Sequence, residues 1–398
     1  MKIVFVNRYY WPDQSATAQI LTDLAEQLSK DGHEVAVITS RQLLEDPNAS
    51  LPSKEVVNGV EIRRVATTTF GRTSLPGRAA DYLSFYFTSA VTGLSLVQRR
   101  SVVVCKTDPP LIGLMFLPVV WLKRAKLINW WQDVYPEIAM HLGVINEKSL
   151  IYRTTRALRN WLYSRSDANV VIGRSMEDFF AKEVGYLQST AVIPNWSRDL
   201  STRVPRKQNT IRALINAGEK TVLGYSGNLG RAHDISPILK LSELLADDER
   251  FHFLLIGAGF NHAAVEAHAL EKGLGNWSFL PYQPRAKLNE SISAIDIHIV
   301  ALRGELNGLI VPSKIYGALS AERPILYIST HSSEFQHLAD EGTGIQVDGS
   351  EHKLLEAIEF ISSDSRLAST GRISRQIFLA SYTFERVTDQ WRHLLNAI

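Results

Sequence analysis

Five stretches of this 398-residue chain hold residue types and spacings that could do chemistry. Gly224-Tyr225-Ser226-Gly227-Asn228-Leu229-Gly230 follows an apolar run and precedes a helix expected near Asp234. Glycines in such a place let backbone N–H groups approach a phosphate, or simply make a tight strand-to-helix turn. Leu255-Ile256-Gly257-Ala258-Gly259-Phe260 repeats the pattern and carries the same two readings. In Val311-Pro312-Ser313-Lys314-Ile315-Tyr316-Gly317, Pro312 stops an extended segment, Ser313 reads as an N-cap and Lys314 falls in the first helical turn. A cation there opposes the helix dipole, so Lys314 is either solvated or matched by an anion such as a diphosphate. Asn129-Trp130-Trp131-Gln132-Asp133-Val134-Tyr135-Pro136-Glu137 takes a strand into an aromatic, acidic turn. Its tryptophans could pack in a core or stack on a sugar, and Asp133 and Glu137 could bind hydroxyls or act as a base. Last, Leu150–Ser166 carries Arg153, Arg156, Arg159 and Arg165 among aromatics and no acid, with Lys123, Arg124 and Lys126 upstream. It is a solvated basic face or a contact for an anionic membrane surface.

The elements that must position these residues alternate short β-branched runs with amphipathic segments. Ile3–Val6, Val35–Thr39, Val60–Val65, Val102–Cys105, Leu127–Trp130, Ala168–Ile172 and Ala191–Ile193 read as strands, with Ala16–Lys30 the first helix between them. At Pro194-Asn195-Trp196-Ser197 the rhythm breaks into a polar stretch containing Arg203, Arg206 and Lys207, which reads as an interdomain linker. A second series then runs from Thr221–Tyr225 to Gly344–Val347, and an amphipathic segment closes the chain from Phe384. This alternation predicts two doubly wound α/β halves with parallel sheets, whose ligands lie beyond the carboxyl ends of the strands in a cleft between facing halves. The expected domains are 1–198 and 199–382, with a helix at about 383–398 packing back on the first.

Composition narrows the function. Hydrophobic residues make up 45% and charged residues 21%, as in an ordinary folded protein, so disordered and low-complexity classes are excluded. One cysteine, Cys105, excludes an internal disulfide framework and suggests a reducing compartment. A net charge of +2 does not indicate a nucleic-acid binder. Met1 leads straight into a strand, which does not read as a secretory leader, and Leu111–Leu122 is shorter than the ~20 apolar residues of a spanning helix. The chain has no HExxH, EF-hand, nucleophile-elbow or Walker A pattern, and no metal is expected.

Taken in order, the motifs resemble those of the bacterial family 4 glycosyltransferases of GT-B fold, in the branch that builds O-antigen, capsule and colanic-acid-type polysaccharide. The resemblance spans the chain, from Tyr9-Tyr10-Trp11-Pro12-Asp13 through Trp131–Glu137, Ile193–Trp196, Tyr225–Gly230, Ile256–Gly259 and Phe279–Pro284 to Val311–Gly317. It implies retaining transfer of a sugar from a nucleotide-diphosphate sugar, by preference a UDP-sugar, to a lipid-linked saccharide. The second half would bind the donor and the first the acceptor. No cofactor or metal is implied, and the leaving phosphate would deprotonate the acceptor hydroxyl. Carried over by position, Asp133 and Lys314 are the implied catalytic residues. Gly227, Asn228, Arg231, Gly257, Gly259, Leu280, Tyr282, Gln283, Glu305 and Ser313 join Lys314 on the donor side. Trp131, Glu137 and Asp13 fall on the acceptor side. The protein would be cytoplasmic, or peripheral on the inner face of the cytoplasmic membrane through Lys123, Arg124, Lys126, Arg153, Arg156 and Arg159.

The sequence departs from the family at two donor-side positions, where Leu309 and Gly317 stand in place of a glutamate pair. That departure keeps open a non-catalytic subunit that activates another transferase. A nucleotide-sugar 2-epimerase is a further alternative, although His233, His252 and His298 do not gather in one loop.

Overall fold

The β-branched runs become strands, and in both halves of the chain they pair almost wholly in parallel. A computed structural model describes residues 1–71, 75–200 and 204–398; Arg203 of the expected linker lies outside them. The described chain divides into two compact units, Met1–Pro194 with Thr388–Ile398, and Asn195–Val387.

In the first unit the strands are β1 (Lys2–Val6), β2 (Glu34–Ser40), β3 (Lys54–Val57), β4 (Val60–Val65), β5 (Val102–Lys106), β6 (Lys126–Trp131), β7 (Ala168–Val171) and β8 (Thr190–Val192). Their order is β3-β4-β2-β1-β5-β6-β7-β8. Only β3 and β4 run antiparallel. They are joined through Asn58 and Gly59, whose φ of 49° and 82° suit a tight hairpin turn. The helices are α1 (Ala16–Lys30), α2 (Leu75–Leu96), α3 (Gly113–Lys123), α4 (Glu137–His141), α5 (Leu150–Arg165) and α6 (Arg174–Val184). Helix α1 shows why such segments dock. Leu21, Leu24, Ala25 and Leu28 recur at helical spacing and are fully buried, each leucine contributing about 1.5–3 kcal/mol by leaving water.

The second unit repeats the plan with β9 (Thr221–Asn228), β10 (Phe251–Ala258), β11 (Trp277–Leu280), β12 (Ile297–Ala301), β13 (Ile325–Ile328) and β14 (Gly344–Val347). Their order is β11-β10-β9-β12-β13-β14, all parallel. The helices that matter for its site are α7 (Thr210–Leu214), α8 (Ser236–Leu244), α9 (His262–Glu271), α10 (Leu288–Ser293) and α11 (Lys314–Ser320). Both units are therefore doubly wound. In each, strand order reverses once next to the first strand, between β1 and β5 and between β9 and β12. Such switch points leave a crevice at the strand carboxyl ends where ligands bind.

The polar stretch read as a linker is instead tied to the second unit. Asp199 pairs with Arg375 at 2.7 Å, the Leu200 N–H donates to Ser320 at 2.7 Å, and Arg206 reaches the buried Asp296 at 3.0 Å. These bonds give the polar residues fixed partners, so the chain divides at Pro194 rather than within the stretch. The closing helix, Phe384–Ala397, starts in the second unit and ends in the first. There Trp391 is buried with its ring 4.8 Å from Trp130, and Arg392 pairs with Asp31 at 2.7 Å. Among the described residues no helix is long and apolar enough to cross a membrane.

Candidate active site

Each switch point carries a group of chemistry-bearing side chains, and the two groups differ in kind. In the first unit the loops after β1, β5 and β6 open a pocket of about 300 Å³ lined by Tyr9, Thr107, Asp108, Asp133 and Tyr135, with Arg78 and Tyr82 from α2. Asp133 is half-buried, and the Thr107 hydroxyl accepts from its backbone N–H at 3.3 Å. Burial pushes its carboxyl up to about 6, nearby Asp108 adds to the rise, and Lys106 opposes it. Lys106 closes β5 and is 2% exposed. Its ammonium donates to the Thr17 carbonyl at 2.9 Å and lies 4.1 Å from the centre of the Trp130 ring. Burial lowers its pKa to about 7, against the pull of Asp133 and Asp108. A lysine at a strand end followed by Thr-Asp-Pro-Pro was the available sequence signal. Sequence reasoning passed over it because burial at that place comes from α1 and Trp130, not from neighbours in the chain.

The three residues assigned to the acceptor side do not line this pocket. Trp131 is 1% exposed, packs in the core at a tilt against Tyr163 and Phe180, and donates its indole N–H to Asn169 at 3.0 Å. Asp13 accepts backbone N–H bonds from Ser15 and Leu44 at 2.8 and 2.6 Å, which pins the loop before α1. Glu137, at the start of α4, accepts from Arg159 at 2.7 Å. Arg159 in turn reaches Glu183 of α6 at 2.8 Å, and Arg156 meets Glu183 at 2.6 Å. This network corrects the reading of α5 as a uniformly basic outer face. Its acids come from α4 and α6, and Arg159 is completely buried between them. Arg153 stays exposed on α5, and Lys123, Arg124 and Lys126 end α3 and open β6.

In the second unit the glycines converge. Gly227 and Gly257 sit opposite each other in the β9–β10 register, with φ of 123° and 130°. A Cβ on Gly257 would collide with the Gly227 carbonyl, and one on Gly259 would come within 2.6 Å of the Asn228 side-chain oxygen. A Cβ on Gly227 would meet the Lys314 side chain at 2.8 Å. Only glycine therefore lets the two strand ends and Lys314 approach one another. Lys314 lies 3.5 Å from the Asn228 carbonyl and 4.8 Å from the Tyr225 ring centre. The Tyr225 hydroxyl donates to the same carbonyl at 2.7 Å. Burial alone brings the Lys314 pKa down to about 8.

The remaining donor-side residues lie around this cradle. Arg231 stacks 4.1 Å from the Phe260 ring centre. Leu280 ends β11, and Tyr282 and Gln283 follow it on the surface side, Gln283 bonding the Pro281 carbonyl at 2.9 Å. Glu305, beside Arg303 at 3.6 Å, sits on the loop after β12. That loop is joined to the glycine turn by a 2.8 Å bond from the Arg303 N–H to the Ala232 carbonyl. Ser313 precedes α11 but makes no side-chain cap, because its own backbone is already helical. Of the two positions lacking glutamate, Leu309 is buried at 2% exposure and Gly317 lies within α11. The histidines stay apart. His233 bonds the Gly230 carbonyl, whereas His252 and His298 are buried in the sheet, with pKa values lowered by burial to about 4 and about 3.

Residues 15–196 match the model of the glycosyl transferase 4-like domain. WbjE of Pseudomonas aeruginosa, named as a glycosyltransferase, is 27% identical over 384 residues, covering 96% of this chain and 94% of that one. WcaI of Escherichia coli, whose name assigns it to colanic acid biosynthesis, is 22% identical over 87% of this chain and 88% of its own. Among solved structures, a sucrose-phosphate synthase from Thermosynechococcus elongatus superposes with a TM-score of 0.78 at 16% identity, and Anabaena HepE in complex with UDP with 0.74 at 13%. Each alignment covers the whole of both chains.

Proposed function

We propose that this chain, which matches the glycosyl transferase 4-like domain over residues 15–196 and glycosyltransferases of polysaccharide biosynthesis over most of its length, is a family 4 glycosyltransferase that moves a sugar, with retention, from a UDP-sugar to a lipid-linked saccharide. The second unit takes the donor. Lys314, Ser313 and the backbone at Gly227 and Asn228 hold the diphosphate, while Gly257, Gly259 and Leu280–Gln283 flank the nucleoside. Arg231 and Glu305 border the sugar end. The pocket of the first unit takes the acceptor, with Asp133 beside the reacting hydroxyls. No metal or cofactor is required in this reading.

The observation that carries it is the cradle around Lys314. A half-buried lysine lies against the bare backbone of Gly227, in a turn whose facing glycines leave room for little but backbone, and desolvation alone shifts its pKa. A diphosphate supplies the missing counter-charge and takes up the N–H groups of the glycine turns. HepE, of the same fold, has been solved with UDP and with UDP-glucose, which favours uridine. In the reaction the bond from the anomeric carbon to the phosphate oxygen breaks and a bond to the acceptor oxygen forms. The acceptor proton passes to the leaving phosphate, whose negative charge Lys314 stabilises. The test supplies labelled UDP-sugars with membranes of a polysaccharide-producing bacterium. Label should enter the lipid fraction with wild-type protein; neither transfer nor hydrolysis from any nucleotide sugar would overturn the reading.

A further inference from the structure

Lys106 and Trp130 stand opposite each other in the β5–β6 register, and the ammonium lies 4.1 Å from the centre of the indole ring. A third residue completes the arrangement. Trp391 of the closing helix meets the same indole, with ring centres 4.8 Å apart and planes at 65°. All three residues are buried, none more than 2% exposed. Trp391 is a poor choice if filling space is its only task. Its indole N–H is buried with no hydrogen-bond partner among the described residues, a cost that leucine or phenylalanine would avoid. What the indole adds is a broad ring set edge-on against Trp130. The turn that carries it is pinned, since Arg392 pairs with Asp31 at 2.7 Å and with Asp389 at 2.7 Å.

Lys106 depends on that ring. Its direct contacts, the Thr17 carbonyl at 2.9 Å and the Trp130 face, carry no charge. An ammonium out of water keeps its proton only while such groups replace the water it has lost. Asp133 and Asp108 act on it through charge, and it acts back on Asp133. Arg78 and Tyr135 share the pocket with the two carboxylates, and Tyr9 and Tyr82 line it too. On the closing helix, Asp389 and Arg392 are engaged with each other and with Asp31. We propose that Trp391 is a positioning residue of the acceptor site: it holds the Trp130 ring against the Lys106 ammonium, and so keeps a cation beside the Asp133 carboxylate. With the ring displaced, Lys106 would retain one carbonyl as its contact. The amine would then release its proton more readily, and Asp133 would lose the charge that offsets Asp108. The purpose of this arrangement rests on the reading of Asp133 as the group beside the reacting hydroxyls, and its first test contains no sugar.

The Lys106 amine is followed by carbon NMR of labelled lysine side chains as pH is varied. In wild type it should titrate at about 7. In Trp391→Leu it should titrate lower, by about half a unit to one unit. The acid limb of transfer, at about 6 in wild type, should move to higher pH in the same variant while UDP affinity stays unchanged. Trp391→Phe keeps a smaller ring and should give intermediate shifts. Leu395→Ala opens a cavity one turn further along the same helix, and should lower the melting temperature with both values unmoved. Lys106 titrating alike in wild type and Trp391→Leu would overturn the proposal. So would an equal shift in Leu395→Ala, which would reduce Trp391 to packing. Should Trp391→Leu fail to fold, the same comparison is made with Trp391→Phe, where an unmoved Lys106 is again fatal. An acid limb present in wild type and unmoved in the variant would overturn the proposal with the enzyme reading intact. Transfer without any such limb would overturn the reading of Asp133, while the Lys106 titration still decides on Trp391.

Discussion

Lys106, which closes β5, and Lys314, which opens α11 after β12, are the same residue type near the switch points of two doubly wound sheets, and burial lowers the pKa of both. Their surroundings give them opposite tasks. Lys106 has internal partners: the Thr17 carbonyl, the Trp130 face, and the charges of Asp133 and Asp108. It compensates a site that is already acidic and sets how readily Asp133 ionises. Lys314 has a carbonyl at 3.5 Å, an aromatic face and the bare backbone of Gly227. In the proposed reading it is the charge of a site that takes its partner from solution. A lowered pKa is shared, and the local supply of anions is what separates the lysine with internal partners from the one proposed to bind a ligand.

Substitutions at the two lysines should therefore separate. The largest effect is expected from Lys314→Ala, which removes the charge facing the leaving diphosphate and should lower kcat by about 10²–10³-fold, with the fold intact by thermal melting. Lys106→Met should act through pH instead. If Asp133 acts as proposed, transfer by the wild type should fall as pH drops through about 6, where its carboxyl takes a proton. Without Lys106 the influence that lowers the Asp133 pKa is gone, so the acid limb of the pH profile should move to higher pH. An unmoved limb would detach the two residues.

The smallest effect is a proton count. The folded-state pKa of Lys314 lies below its ordinary value of 10.5, at about 8. Between those values the unfolded chain holds a proton that the folded one has lost, so this group's contribution to stability rises with pH across that window. A bound diphosphate favours the charged form. UDP binding just above pH 8 should then take up a fraction of a proton, visible as a buffer-dependent heat, and affinity should fall as pH rises through about 8. Lys314→Met should abolish the uptake, and Lys106→Met should leave it.

Much of this fold was legible because strand and helix periods alternate so regularly, and the strands from Val102–Cys105 to Gly344–Val347 fall where the apolar runs lie. The β3–β4 hairpin was not read, although Asn58-Gly59 between two valine-bearing runs is its signal; the polar Lys54 and Glu55 hid the first strand. The glycine turns and Lys314 were visible because their chemistry is local. Charge partners were not. Arg159 looked like surface until α4 and α6 brought Glu137 and Glu183 to it, and Lys106 looked like an ordinary strand end. Trp131 and Glu137 share a motif with Asp133, yet alternation along the strand and the turn into α4 send both into the body. Only Asp133 among them reaches the pocket.

The most direct test of the account is titration calorimetry of UDP against wild type, Lys314→Met and Lys106→Met near neutral pH. UDP should bind wild type and Lys106→Met alike and lose at least about tenfold in affinity for Lys314→Met, the worth of one charge-assisted contact. Equal affinity for all three proteins would contradict the assignment of the diphosphate to the glycine cradle.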